Sequence, residues 1–133
     1  MTVSHKNISF EDERGKIIDI LEKEQTEYVT YITIKKGTVR GNHYHKESVQ
    51  YAYVLNGKIK ILTQMGNEKI KEHIVTSGDL VYTPENEKHT FIGLEDSEFM
   101  VFTRGPRGGK NFEEDTYRLP LEERLNKEWE KQL

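Results

Sequence analysis

The sequence contains no cysteine, only three prolines and a single tryptophan. Without cysteine, the chain has no disulfide, no thiolate metal site and no cysteine nucleophile. No apolar run approaches the roughly 18 residues that a membrane-spanning helix needs. The N-terminal segment also lacks the apolar stretch of a secretory signal. These absences predict a cytoplasmic protein that has no membrane partner.

Apolar residues are scarce as well. Hydrophobic residues make up 34% of the chain, charged residues make up 32%, and the mean hydropathy is −0.81. Leucine, isoleucine, valine and phenylalanine together still account for 33 of the 133 residues. This share of about 25% exceeds the roughly 20% below which chains tend to be disordered. We therefore expect a folded protein, and the length predicts one domain over residues 1–133.

Positive charge is not in excess. Lysine and arginine number 20 against 23 aspartate and glutamate residues, which gives a formal net charge of −3. A protein that binds nucleic acid through the backbone phosphates usually carries a basic excess. The charge balance therefore argues against a nucleic-acid partner and leaves a small molecule as the expected ligand.

Apolar and polar residues alternate with a period of two in short segments that are rich in β-branched and aromatic residues, which is typical of strands. These segments cover residues 17–22, 28–34, 49–55, 59–62, 69–75 and 99–103. The pair Asn56-Gly57 separates two of them and predicts a type I′ hairpin turn. Many short strands joined by turns indicate an all-β barrel or sandwich.

The C-terminal part has a different pattern. Glycines and a proline predict a loop that begins near residue 105. Pro120 then opens a helical pattern whose apolar residues recur at every fourth position, namely Leu121, Leu125, Trp129 and Leu133. We expect a barrel over about residues 8–104, followed by a loop and a helix over about 105–133. The apolar stripe would pack on the barrel or on a second subunit.

Histidines recur at fixed intervals in two segments. Residues i and i+2 of a strand project to the same face, so His43 and His45 can converge on one point. A third histidine, His89, lies in the second segment. The residues at fixed spacing are Gly37, His43, His45, Gln50 and Gly57 in the first segment, and Gly78, Pro84, Asn86, His89 and Gly93 in the second.

These two segments resemble the two sequence motifs of the cupin superfamily. The first motif of the family is G-x5-H-x-H-x3–4-E-x6-G, and Gln50 stands here at the usual glutamate. The second is G-x5-P-x-G-x2-H-x3-N, in which Asn86 replaces the middle glycine and Gly93 replaces the last asparagine. The resemblance implies an all-β fold, the cupin double-stranded β-helix or jelly-roll barrel, with a short C-terminal helix. It also implies a homodimer.

In metal-bearing cupins, the residues at four motif positions bind a divalent ion. The corresponding residues here are His43, His45, Gln50 and His89. The neutral amide of Gln50 should bind a dication more weakly than a carboxylate would, although three imidazoles can still hold a metal. The resemblance therefore leaves two cofactor hypotheses open: none, or a divalent metal such as zinc, nickel, iron or manganese.

A narrower resemblance extends beyond the two motifs. Residues 12–16, Tyr31 and residues 40–46 are similar to the small cupins of surface-polysaccharide biosynthesis, in particular the dTDP-4-keto-6-deoxyglucose 3,4-ketoisomerases. This similarity implies an enzyme that isomerises or epimerises a nucleotide-linked keto-sugar, with a dTDP- or UDP-sugar as substrate. Tyr44 stands where those enzymes have a small alanine.

The same resemblance assigns roles to individual residues. It implies His43 and His45 as the acid–base pair, Tyr31 as the group that steadies the enediolate oxygen, and Arg14, Arg40 and Gln50 as substrate-binding residues. The residue types suit these roles. The pKa of histidine lies near neutrality, so it can both take and give a proton. A guanidinium group matches the geometry of phosphate oxygens.

Two other functions remain open from the sequence. One is a metal-dependent cupin, either a dioxygenase or a sugar isomerase, that uses His43, His45 and His89 as ligands. The other is a non-catalytic cupin that binds a sugar or another small ligand.

Overall fold

The computed structural model describes residues 1–106 and 113–130, without the side chains of Trp129 and Glu130. Its regular structure is almost entirely β. The strands are β1 (Thr2–His5), β2 (Phe10–Asp12), β3 (Gly15–Ile17), β4 (Tyr28–Ile34), β5 (Val39–Tyr44), β6 (Val49–Asn56), β7 (Lys58–Met65), β8 (Lys71–Thr76), β9 (Asp79–Thr83), β10 (Glu87–Gly93), β11 (Ser97–Arg104) and β12 (Tyr117–Arg118).

Two five-stranded antiparallel sheets face each other. Sheet I has the order β1-β9-β6-β11-β4, sheet II has the order β12-β5-β10-β7-β8, and β2 pairs with β3 in a separate hairpin. Most neighbouring strands are distant in sequence, as in a jelly roll. The prediction of an all-β jelly-roll barrel is therefore confirmed. Sheet I includes β1, so the barrel starts before residue 8.

The main core lies between the two sheets and uses one face of each strand. Its buried side chains include Ile34, Val54, Ile59, Ile61, Val75, Val81, Phe99 and Val101. In β11, buried residues alternate strictly with partly exposed ones. Only every second strand residue must be apolar in such a barrel. This explains how a chain that is only 34% hydrophobic can fold.

A second apolar cluster lies on the outer face of sheet II. Leu62 and Ile92 contribute from the sheet, and Leu125 packs on them from the C-terminal segment. Leu125 is only 5% exposed, although it lies outside the barrel. The C-terminal segment is therefore a cover for this face of the barrel.

The predicted hairpin at Asn56-Gly57 is wrong. The strand before it, β6, pairs with β9 and β11, whereas β7 pairs with β8 and β10. The chain therefore crosses from one sheet to the other at Gly57. This glycine has a φ of +95°, and a Cβ atom there would lie 2.6 Å from the Cα of Ser97. Glycine is needed here because the backbone passes close to Ser97 at the barrel corner, and not because of a hairpin turn.

The predicted strand over residues 17–22 ends at Ile17. Ile18, Ile20 and Leu21 are half-buried, but residues 18–27 form no ladder with another strand. The side chain of Ser9 accepts a hydrogen bond from the backbone N–H of Asp19. Ile18 and Ile20 do share the more buried side of the segment, as the period of two suggests. Alternation alone does not require a partner strand.

The predicted short C-terminal helix is present, but it does not run continuously from residue 121. A 3₁₀ turn covers Leu121–Glu123, Arg124 is extended, and a single α-helical turn covers Lys127–Glu130. The helix is interrupted because the backbone N–H of Leu125 donates to the side chain of Asn42 instead of to the preceding turn. Leu121 is consequently 74% exposed. Leu133 and the side chain of Trp129 lie outside the described residues.

Within the described ranges, no helix has the length and apolar character that crossing a membrane would require. The loop predicted from residue 105 falls largely on residues 107–112, which also lie outside the described part of the chain.

Candidate active site

The structure brings the three predicted histidines together at one end of the barrel. His43 on β5 lies directly opposite His89 on β10. The ring centroid of His43 lies 4.8 Å from that of His45 and 4.7 Å from that of His89. The ring centroids of His45 and His89 are 5.3 Å apart. One ring nitrogen from each residue lies within 4.8 Å of the other two. The motif spacing therefore predicted a real cluster.

An unusual backbone before His43 allows this convergence. Gly41 and Asn42 both have positive φ, +100° and +58°, and the register of β5 and β10 shifts between His89 and Thr90. A Cβ atom on Gly41 would lie 2.7 Å from the carbonyl oxygen of His89. Only glycine permits this approach without strain. Gly41 thus allows the two histidine-bearing strands to meet.

Hydrogen bonds fix the tautomers of two histidines. The Nδ1 atom of His45 lies 3.0 Å from the carbonyl oxygen of Asp115, and the Nδ1 atom of His89 lies 3.1 Å from that of Glu87. A carbonyl oxygen only accepts hydrogen bonds, so each Nδ1 carries the proton. In the neutral form of such a ring, the Nε2 atom holds the lone pair that can accept a proton or bind a metal.

His89 is neutral at physiological pH. Burial of the ring, together with the neighbouring His45, lowers the pKa of His89 from 6.5 to about 4. Desolvation is the larger cause, because a buried imidazolium loses its hydration. His89 is thus a hydrogen-bond acceptor rather than an acid in this site.

This depressed pKa predicts a pH dependence of stability in the metal-free protein. As the pH falls from about 6.5 to 4, His89 takes up a proton in the unfolded chain but not in the native one. The free energy of unfolding should therefore decrease by up to about 3 kcal/mol over this window. The loss should be absent above pH 7, where both states are neutral. Urea unfolding with a chelator at a series of pH values measures it.

The comparison that isolates His89 uses two variants. His89→Gln should lose this part of the pH slope, whereas His73→Gln, at an exposed position on β8, should keep it. Equal slopes in the wild type and in His89→Gln would contradict the expectation.

A cavity of about 210 Å³ opens beside the cluster. Its lining residues are Ile32, Arg40, Gly41, His43, Gln50, His89, Phe91, Phe99 and Val101. Pockets that enclose drug-sized ligands usually measure roughly 300–1,000 Å³. The volume therefore suits a single sugar ring, and any nucleotide attached to it would lie outside the mouth. Arg40, His43, His89 and Phe91 line it from sheet II, and Ile32, Gln50, Phe99 and Val101 line it from sheet I.

Two of the predicted substrate-binding residues reach this cavity. Gln50 lines it from β6, and Arg40 lines it from β5. The Nε atom of Arg40 donates to the carbonyl oxygen of Thr33. This bond orients the guanidinium group of an otherwise exposed residue and leaves its terminal amino groups to bind other acceptors.

The structure does not bring Tyr31 or Arg14 to the cavity of the same chain. Tyr31 points outward from β4, is 54% exposed, and donates its hydroxyl hydrogen bond to Glu98. That bond also raises the pKa of Tyr31. Arg14 lies on the β2–β3 hairpin, and its Nε and Nη2 atoms donate to Oδ2 of Asp12 at 3.1 and 2.7 Å. This arrangement lowers the pKa of Asp12.

Tyr44 does not fill the cavity, although it is larger than the alanine of the ketoisomerase pattern. It lies between His43 and His45 in sequence and therefore faces the opposite side of β5. Its ring stacks on that of Tyr117, with centroids 5.2 Å apart and planes 17° from parallel. The exchange of alanine for Tyr44 therefore leaves the histidine side of the strand unchanged.

A larger and more open depression of about 650 Å³ lies elsewhere on the surface. Its lining includes Glu27, Glu47 and Glu114, but none of the three histidines. A group of carboxylates repels the phosphates of a nucleotide. We therefore identify the smaller histidine cavity as the site.

The histidine cluster fits a divalent metal in part. Three imidazole nitrogens are close to one another, and the Nδ1 bonds of His45 and His89 orient their Nε2 atoms as ligands. The fourth position is the neutral amide of Gln50, which lines the same cavity. Such a site lacks the negative charge that a carboxylate would provide, so it should bind zinc less tightly than the usual cupin set.

Several residues that shape the site escaped the sequence analysis. They are the apolar wall (Ile32, Phe91, Phe99 and Val101) and the groups that support the histidine strand from outside (Asn42, Asp115 and Asn126). Strand alternation could have indicated the wall. The supporting residues belong to no sequence motif. Asp115 lies 70 positions from His45 in the chain, and Asn126 lies 84 positions from Asn42.

Comparisons with known proteins agree with this geometry. No curated protein matches the sequence. Among solved structures, the chain is similar to the 3,4-ketoisomerase QdtA of Thermoanaerobacterium thermosaccharolyticum, a double mutant in complex with TDP. The identity is 25%, the TM-score is 0.71, and the match covers 88% of this chain and 87% of that one.

Two further structures are less similar in sequence and support the fold alone. A 3,4-ketoisomerase from Helicobacter canadensis is 19% identical, with a TM-score of 0.75 and coverage of 89% of this chain and 90% of that one. A dTDP-4-dehydrorhamnose 3,5-epimerase from Sulfolobus tokodaii is 18% identical, with a TM-score of 0.71 and coverage of 92% and 84%.

The family comparison covers the barrel itself. Residues 30–103 match the family described as Cupin domain, and this range includes all three clustered histidines. It spans more than half of the chain. With the jelly-roll topology and both histidine motifs in place, the chain belongs to the cupin family.

Proposed function

We propose that this protein isomerises or epimerises a nucleotide-linked keto-sugar, with 3,4-ketoisomerisation as the leading reaction, in surface-polysaccharide biosynthesis. The observation that carries the proposal is the histidine cluster, of which His43 and His89 line a cavity sized for one sugar ring together with Arg40. The similarity to the ketoisomerase QdtA, solved with TDP, supports a dTDP-sugar as the substrate.

The chemistry moves a ketone from C4 to C3 of the sugar. A base removes the proton from C3, the C4 oxygen gains a proton, and an enediol forms. The C3 hydroxyl then loses its proton as C4 gains one, so the product has a C3 ketone and a C4 hydroxyl. No redox partner is needed, because the substrate is both oxidised at C3 and reduced at C4. Neutral histidines suit both proton transfers.

The geometry supports a division of roles within the cluster. His43 is half-buried and lines the cavity, so we assign to it the transfer of the C3 proton. His89 also lines the cavity, and its neutral Nε2 accepts a hydrogen bond from a sugar hydroxyl. His45 is buried against both rings and is not among the lining residues. We therefore propose that His45 orients His43 instead of contacting the sugar.

Arg40 and Gln50 complete the proposed binding site. Gln50 offers a neutral amide that can donate to or accept from sugar oxygens. Arg40 provides a guanidinium for the diphosphate at the mouth. The exposed positions of Tyr31 and Arg14 support no role in the cavity of their own chain.

Turnover of defined sugars tests this function. The purified protein is incubated with dTDP-4-keto-6-deoxyglucose and with the corresponding UDP-sugar, and the products are followed by NMR. We expect conversion to the 3-keto isomer or to an epimer at a carbon next to the ketone. Binding without conversion of any keto-sugar would favour the non-catalytic cupin and contradict our proposal.

A metal-dependent cupin is the second candidate, and it is favoured by the convergence of three imidazole nitrogens within 4.8 Å. His43, His45 and His89 would hold the ion, with Gln50 beside them. A bound divalent metal would act as a Lewis acid on a carbonyl oxygen. Calorimetric titration of chelator-treated protein with zinc tests this candidate. Binding that is equally weak in the wild type and in His89→Gln would exclude it.

We also propose that the protein is a homodimer. The outer face of the edge strand β4 exposes Val29 by 60% and Tyr31 by 54%. Exposed apolar groups on one sheet face are a common feature of subunit interfaces. Sedimentation velocity at micromolar concentration should show a dimer, and a monomer would contradict this proposal.

A further inference from the structure

Asp115 holds the turn that follows His45. Its carboxylate accepts hydrogen bonds from the backbone N–H groups of Lys46, Glu47 and Ser48 at 3.0 to 3.2 Å. The hydroxyl group of Ser48 lies 3.1 Å from the same carboxylate. Asp115 is only 4% exposed, so these bonds are shielded from water. Three consecutive backbone donors thus depend on one buried side chain.

The same residue also contacts the histidine cluster directly. The backbone carbonyl of Asp115 accepts the hydrogen bond from Nδ1 of His45 at 3.0 Å, across 70 positions of sequence. The carboxylate therefore anchors the turn, and the carbonyl anchors the ring that precedes it. If Asp115 shifts, the orientation and tautomer of His45 lose their support together.

A second segment supports the same turn from the other side. Gly105 has a φ of +108°, and a Cβ atom there would lie 2.9 Å from the Cα of Ser48. The hydroxyl group of Ser48 also lies 2.9 Å from the carbonyl oxygen of Pro106. The turn is thus packed between residues 105–106 and Asp115, which makes its position sensitive to the carboxylate.

We propose that Asp115 is a positioning residue for the histidine cluster. The backbone carbonyl of Asp115 fixes the His45 ring, and the carboxylate of Asp115 holds that carbonyl in place. The proposal rests on the proposed function, since His45 in turn orients the His43 ring that faces the sugar. Hydrogen-bond partners behind a catalytic or ligating histidine typically contribute about 10- to 100-fold to activity or affinity.

Three variants test the role of the carboxylate. Asp115→Ala removes both carboxylate oxygens but keeps the backbone carbonyl. Asp115→Asn keeps one side-chain acceptor oxygen, and Glu113→Ala removes a nearby exposed carboxylate that pairs with Arg118. With a keto-sugar that the wild type converts, Asp115→Ala should lower kcat by about 10- to 100-fold. The KM should change little, because Arg40 and Gln50 remain in place. Asp115→Asn should lose less than Asp115→Ala, and Glu113→Ala should match the wild type.

A spectroscopic measurement separates this inference from the proposed function. Long-range ¹H–¹⁵N NMR of the histidine side chains reports which ring nitrogen carries the proton, without any substrate. The wild type should show the Nδ1–H tautomer at His45, and Asp115→Ala should show a mixture of tautomers. Asp115→Asn provides the same readout if the alanine variant does not fold.

The outcomes are distinguishable. An unchanged His45 tautomer in the folded Asp115 variants, or a kcat that falls no more than in Glu113→Ala, would overturn the positioning role. A wild type that converts no keto-sugar but shows the tautomer change would support the role of Asp115 and refute the proposed reaction.

Discussion

Replacing His43 by asparagine should lower kcat for keto-sugar isomerisation by about 10²- to 10⁴-fold, the usual contribution of a general acid or base. His43 lines the cavity, contacts both other rings, and is half-buried whereas His45 and His89 are buried, so it is the most accessible of the three to the sugar. Asparagine keeps a polar side chain of similar reach but cannot take a proton near neutral pH. The KM should change far less than kcat.

The matched control is His73→Asn, which changes an exposed histidine on β8. This variant should keep the wild-type kcat. Circular dichroism and thermal unfolding of both variants would show that the barrel is intact. A His43→Asn enzyme that retains more than about a tenth of the wild-type kcat would contradict the assignment.

Replacing Asn42 by alanine should lower the free energy of unfolding by about 2–4 kcal/mol. The amide nitrogen of Asn42 donates to Asn126 at 2.8 Å, and its oxygen accepts from the hydroxyl of Thr90 at 2.7 Å and from the N–H of Leu125 at 3.0 Å. All four residues are buried. Each buried group left without its partner costs about 1–3 kcal/mol, which partial relaxation reduces. The φ of +58° adds strain for alanine.

Urea unfolding of three variants measures this effect. Asn126→Ala should also destabilise, and the double variant should cost less than the sum of the two single changes, because both remove the same hydrogen bond. Asn67→Ala, at an exposed turn position, should remain within about 0.5 kcal/mol of the wild type. A loss of less than about 1 kcal/mol for Asn42→Ala would show that the C-terminal segment is not held by this network.

The histidine cluster was predictable because its geometry follows from short-range rules. Strand alternation places His43 and His45 on one face, and the second motif adds His89 from a strand that the fold sets beside them. The supports were not predictable in the same way. Asp115 contacts His45 across 70 positions, and Asn126 contacts Asn42, the neighbour of His43, across 84 positions. Their local sequence contains no signal of this role.

The residues typical of turns predicted where the chain bends, but not with which strands the following segment pairs. Gly57 does adopt a positive φ, yet β6 and β7 enter different sheets. A similar limit applies to the C-terminal segment, where the apolar spacing indicated one helix. The side chain of Asn42 takes the N–H of Leu125, and this tertiary bond overrides the local helical preference.

The family resemblance predicted the positions of some site residues better than those of others. Arg40 and Gln50 lie within the barrel strands and reach the cavity as expected. Tyr31 lies on the outward face of β4, and Arg14 lies on the separate β2–β3 hairpin. The two cupin motifs do not fix the direction of either side chain. Their placement shows that a matched sequence pattern does not ensure a shared site within one chain.

The most direct test of the central claim is solvent deuterium exchange. The protein is incubated in D₂O with dTDP-4-keto-6-deoxyglucose, and NMR follows the hydrogens at C3 and C5 of the substrate and at C4 of the 3-keto product. The account predicts that the wild type removes the C3 hydrogen and that deuterium appears at C4 of the product, with C5 labelled as well only if the enzyme is an epimerase. His43→Asn should slow this labelling by about 10²- to 10⁴-fold. A C3 hydrogen that the wild-type protein leaves in place would contradict the account.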